Sequence, residues 1–185
     1  MPEPYSSLPS SPLMRHVGMI VLPGFSLLAQ ACATEPLAVA NRLAERPLYR
    51  LTTFAVEAAP VVSASQQALM PQARLGETTA PLDLLLVCAP VPLTGSPPVA
   101  LIDALHRWAR AGVLLGGIGG GTEVLARAGV LDGYRATLPW QRYEAFSAAF
   151  PRVRLSRQLF EIDRDRLTCG GGTAAMDMMM TLVDS

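Results

Sequence analysis

Three short runs constrain this chain most: "HVGMIVL" at 16–22, "DLLLVCA" at 83–89 and "VLLGGI" at 113–118. A strand with one face in water alternates apolar and polar residues. A run that is apolar at nearly every position has to be covered on both faces, as strands of a parallel sheet are. All three fall far short of the roughly 20 residues needed to cross a bilayer as a helix. Segments with helical spacing lie between and after them. "TEPLAVANRLAER" reads as a helix capped by Thr34 with Pro36 in its first turn, which places Glu35 at or near a helix N-terminus. Ser96-Pro97-Pro98 opens a second helix, in which Leu101, Ile102, Leu105, Trp108 and Ala109 form one stripe and Gly112 is the stop. "TEVLARA" and the closing "GGGTAAMDMMMTLV" supply two more. Strand and helix alternate almost throughout, and the fold class expected is α/β: a three-layer sandwich with a mostly parallel central sheet.

Residues 1–14, "MPEPYSSLPSSPLM", hold four prolines and four serines and read as a flexible tail, with a single domain over 15–185. The chain carries 15 basic residues, all Arg, against 15 acidic ones, and this balance argues against a nucleic-acid face. The densest basic segment, "PRVRLSRQLFEIDRDR", interleaves its charges and reads as a solvated hairpin. Cys32, Cys88 and Cys169 have no metal-ligand spacing, and no signal peptide precedes them; they read as reduced thiols in a cytoplasmic protein. With only His16 and His106, there is little material for a metal site or a histidine-based dyad, and the residues imply neither metal nor cofactor.

The feature that raises a functional question is "LLGGIGGGTEVL" at 114–125, an apolar strand turning through glycine into a helix. As a dinucleotide fingerprint it fails, because the third glycine position is Thr122; as a phosphate loop it lacks the lysine. Two readings remain open. One is an elbow that exposes a single residue above the sheet, and the other is a tight turn needing glycine for close strand–helix packing. The turns at 119–121 and 170–172 both follow strands, so both belong at the carboxyl edge of the sheet, where such folds bind ligands.

Three blocks, "LPGFSLLAQACATEPLAVANRLAERPLYRLTTF", "LLGGIGGGTEVLARAGVLDGYRATLPW" and "AFPRVRLSRQLFEIDRDRLTCGGGTAAMDMMMTLV", together resemble the amino-terminal sensor domain of AraC-type transcriptional regulators. That domain is built on the ThiJ/PfpI, class I glutamine amidotransferase-like (flavodoxin-like) fold, and the resemblance covers residues 16–183. It implies a non-catalytic domain for effector binding and dimerisation. Within that family the chain resembles regulators responding to quaternary amines and related amino-acid metabolites. The elbow cysteine of the fold family falls on Gly119 and its histidine on Pro139, so both reactive groups are missing. Carried over by position, Glu35 faces the elbow and Trp140 follows the lost histidine position, while Phe25, just after the first strand, is a further candidate that also suits the core. These, with Gly119, Gly120 and Gly121, are the expected ligand-binding residues. Glu35 and the Trp140 indole would hold a small cation, while a turn N–H at Gly120 or Gly121 would hold a carboxylate. The resemblance further implies a homodimer that contacts DNA only through a helix-turn-helix domain absent from this chain, which is either one domain of a longer regulator or a free-standing homologue. A free-standing enzyme of hydrolase, hydratase or glyoxalase type and a purely structural dimerisation domain are the alternatives.

Overall fold

The computed structural model describes residues 14–77 and 80–183. The expected tail falls almost wholly outside these residues. Strands β1 (Arg15–Val21), β2 (Tyr49–Ala55), β3 (Val61–Val62), β4 (Ala68–Leu69), β5 (Ala73–Arg74), β6 (Leu84–Ala89), β7 (Leu114–Gly119), β8 (Arg135–Ala136), β9 (Arg154–Leu155), β10 (Phe160–Asp163) and β11 (Arg166–Cys169) are interspersed with five helices. These are α1 (Leu27–Leu43), α2 (Val99–Arg110), α3 (Gly121–Arg127), α4 (Tyr143–Ala149) and α5 (Ala174–Val183), with a 3-10 turn at Trp140–Arg142.

Among the described residues one sheet has seven strands, in the order β10-β11-β7-β6-β1-β2-β5, and every pairing in it is parallel except β10 with β11. The continuous apolarity of β6 is explained by what covers it. Leu84, Leu86 and Cys88 face the core shared with α1 and α5, whereas Leu85, Val87 and Ala89 face the core shared with α2 and α3. All six are buried. The architecture is therefore an α/β three-layer sandwich, and the antiparallel β10 at its edge forms a hairpin with β11; this overlaps the segment expected as a solvated hairpin, but all four residues of β11 are buried.

Helix α1 differs from the expectation. It begins at Leu27, with Ser26 as its N-cap accepting a hydrogen bond from the Ala29 N–H at 3.2 Å. Thr34 is an interior residue whose hydroxyl donates to the Gln30 carbonyl at 3.1 Å, and Pro36 sits well inside the helix. Proline is favoured in a first turn because its missing N–H is an orphan there anyway, so Thr34-Glu35-Pro36 imitates a helix start inside a helix that begins earlier, at Leu27. Burial of Ala29, Ala33 and Leu37 against the sheet outweighs the lost backbone bond.

Candidate functional site

The strands β1, β6, β7 and β11 all end at one edge of the sheet, and the segments leaving them surround a cavity of about 620 Å³. Gly24 and Ser26 come from the β1–α1 connection; Ala89 ends β6, and Pro90, Val91 and Pro92 follow it; Gly119 ends β7; and Gly170, Gly171 and Gly172 follow β11. Pro139, Gln141 and Arg142 close the remaining side. Buried threonines hold this last segment over the elbow. The Thr122 hydroxyl at the start of α3 donates to the Thr137 carbonyl at 3.0 Å, and the Thr137 N–H donates to the Thr168 hydroxyl at 2.8 Å.

The turn itself reconciles the two readings left open by the sequence. Gly119 has φ of 61°, the left-handed backbone region that favours glycine, and a Cβ placed there would lie 3.3 Å from the Ala89 carbonyl and 3.4 Å from Val91 Cγ2, both on cavity-lining residues. Position 119 is thus an elbow opening into the cavity, with no side chain to react. Gly120 and Gly121 serve packing instead. A Cβ at Gly120 would collide with the Pro90 carbonyl oxygen, and one at Gly121 with the Val87 carbonyl oxygen.

The expected ligand residues scatter. Glu35 is exposed in the middle of α1, because it lies two residues, about 200° of helix, beyond the buried Ala33; it is at no helix N-terminus and does not line the cavity. Phe25 is fully buried in the core beneath α1 and α5, although Gly24 and Ser26 on either side of it line the cavity. Trp140 is 74% exposed, its indole outside the cavity that Pro139 and Gln141 border. The Gly120 N–H donates to the Ala89 carbonyl at 3.1 Å and is not available to a carboxylate. Gly121 is buried against Val87 and does not line the cavity. Of the expected set, Gly119 alone borders the space.

Arg142 was missed. Among the described residues lining the cavity it is the only charged one. Its position three residues after Pro139 carries no local signal; what places it is the fold of the 137–142 segment over the elbow.

The thiols near the elbow are poor nucleophiles. Cys88 and Cys169 lie in register with Ile118 from either side, so two strand spacings, about 9.5 Å, separate their Cα atoms, too far for a disulfide. Burial pushes both thiols up to about 12, with the Cys169 thiol adding to the rise at Cys88 and backbone N–H groups of Gly171 and Gly119 opposing it at Cys169. Cys32 is half-buried. Native protein at pH 8 is therefore expected to react with an aromatic disulfide reagent at about one thiol, Cys32, and at all three once unfolded in urea. Rapid labelling of Cys88 or Cys169 in the native state would contradict this burial. His16 Nε2 is 2.8 Å from the Thr52 hydroxyl and His106 Nε2 is 2.6 Å from the Ala128 carbonyl; neither lines the cavity.

No protein-family model matches the chain. It is 40% identical over 170 residues, 91% of its length, to the HTH-type transcriptional regulator GbdR of Pseudomonas aeruginosa, of which it covers 46%. The crystal structure of an AraC family transcriptional regulator from Pseudomonas putida superposes with a TM-score of 0.82 at 30% identity, covering 91% of this chain and 90% of that one. The chain belongs to the AraC family of transcriptional regulators. It spans about half the length of the curated regulators it matches. A ThiJ/PfpI family protein from Pseudomonas syringae matches with a TM-score of 0.70 at 21% identity, over 98% of this chain and 76% of its own, which shows that this AraC-family domain shares the ThiJ/PfpI fold. Among the described residues no helix is long and apolar enough to cross a membrane.

Proposed function

We propose that residues 15–185 form the effector-sensing domain of an AraC-family regulator, that a small amine or amino-acid-like metabolite binds in the cavity above Gly119, and that binding alters a homodimer in the cytoplasm. The observation that carries this reading is the combination at the elbow: a cavity of about 620 Å³ is retained, while the position that opens into it is glycine. Its size suits a small ligand. The elevated thiols at Cys88 and Cys169 support a site that binds without reacting. DNA contact is assigned to a helix-turn-helix domain of the kind named in the longer relatives.

Thermal unfolding with a panel of glycine betaine, dimethylglycine, carnitine, choline and arginine tests it. A ligand at about 100 times its dissociation constant contributes roughly 2.7 kcal/mol, which for a domain of this size raises the melting temperature by about 5–10 °C. A selective rise of that size is expected. A flat panel at millimolar ligand would set aside amines and amino acids as the effector class.

A further inference from the structure

We propose that Arg142 is the anchor for a carboxylate on the effector, an inference that rests on the cavity being the effector site. The guanidinium is poorly used by the protein itself. Its Nη2 meets Glu123 Oε2 at 3.4 Å, a long contact for an ion pair. Glu123 is buried and already has a better partner, since Arg127 Nη2 donates to its Oε1 at 2.6 Å. Arg142 Nε is buried with no hydrogen-bond partner, the one such side-chain nitrogen or oxygen among the described residues. A buried donor without an acceptor is costly. An incoming carboxylate supplies two acceptor oxygens in the planar spacing a guanidinium fork matches. When Arg142 turns to the ligand, Arg127 keeps the Glu123 charge compensated, so the exchange strands no buried ion.

The rest of the lining restricts the class further. No acidic side chain is among the described residues that border the cavity, so nothing there pairs with a free cation. Ser26, Gln141 and the Cys88 thiol are neutral, and Ala29, Ala64, Val91 and Ile118 are apolar. The site is complementary to a small aliphatic carboxylate, including a zwitterion held by its anionic end. The opposite polarity, a cation held by Glu35, has no support from where Glu35 sits.

Calorimetric titration of the wild-type protein with glycine betaine, carnitine, dimethylglycine and arginine, each followed in Arg142→Gln and Arg142→Lys, tests the assignment. Choline and agmatine are the counterparts of betaine and arginine that lack the carboxylate. A carboxylate that binds wild type is expected to bind Arg142→Gln about 10- to 100-fold more weakly, with Arg142→Lys in between, and the counterpart is expected to lose about as much on the unaltered protein. Comparing the two counterparts with their parents on wild type keeps the test open even where a variant folds poorly. Equal affinity of choline and betaine, or unchanged affinity in a folded Arg142→Gln, would overturn the Arg142 assignment while leaving the cavity as the site. No binding of any carboxylate to wild type at millimolar concentration would overturn the cavity reading and this inference together.

Discussion

Gly121→Ala is expected to destabilise the domain by about 3 kcal/mol or more, the upper range for overpacking a core, and to lower its melting temperature by about 6–12 °C at this chain length. The added Cβ meets the carbonyl oxygen of Val87, which belongs to a fully buried strand paired on both sides, so the obstacle is backbone and cannot rotate away. Gly120→Ala meets the Pro90 carbonyl in the same way. The matched control is Gly129→Ala, where φ is 71° and nothing lies within 4 Å, so that only the left-handed backbone is penalised. About 1–2 kcal/mol is expected there. Thermal or urea unfolding separates the two costs. A Gly121→Ala protein that melts within about 2 °C of wild type would show that α3 does not pack as closely on β6 as described.

This contrast explains how one glycine cluster serves two ends. Gly120 and Gly121 let the helix start directly against the neighbouring strand, and that contact fixes where Gly119 faces. The open elbow at 119 depends on the closed packing at 120 and 121.

The doubly covered strands were legible because their signal is local: six consecutive buried residues in β6 leave no polar face to misplace. The start of α1 was not. Ser26-Leu27-Leu28 carries a cap and apolar residues that also suit a loop leaving a strand, while Thr34-Glu35-Pro36 imitates a helix start closely. The tertiary packing of Ala29 and Ala33 decides between them, and it is invisible locally. That one displacement also moved Glu35 from an expected helix terminus to an exposed helix surface. The elbow glycines were legible as a tight turn, but which of them faces the cavity depends on carbonyls of β6 and the residues after it, about 30 residues earlier in the chain. Arg142 lies further still from any sequence signal, since its place at the cavity follows from the threonine contacts that tie its segment to α3 and β11. Sequence pattern thus specified the scaffold and the glycine turn at its edge, whereas the one charged residue among the described residues lining the cavity required the assembled edge of the sheet.

The second large effect concerns binding. Gly119→Leu places a branched side chain where a Cβ already contacts two cavity-lining residues, so it fills the space the effector would occupy. Gly119→Ala carries the same left-handed backbone penalty, about 1–2 kcal/mol, with little added volume. Comparing the two separates occupation of the cavity from strain at the elbow. The decisive measurement is calorimetric titration of wild type, Gly119→Ala and Gly119→Leu with whichever carboxylate of the panel raises the melting temperature most. A loss of about 100-fold or more in Gly119→Leu, against less than about 10-fold in Gly119→Ala, is the result expected if the effector sits above the elbow. Full affinity in a folded Gly119→Leu protein would contradict it and place the effector elsewhere on the domain.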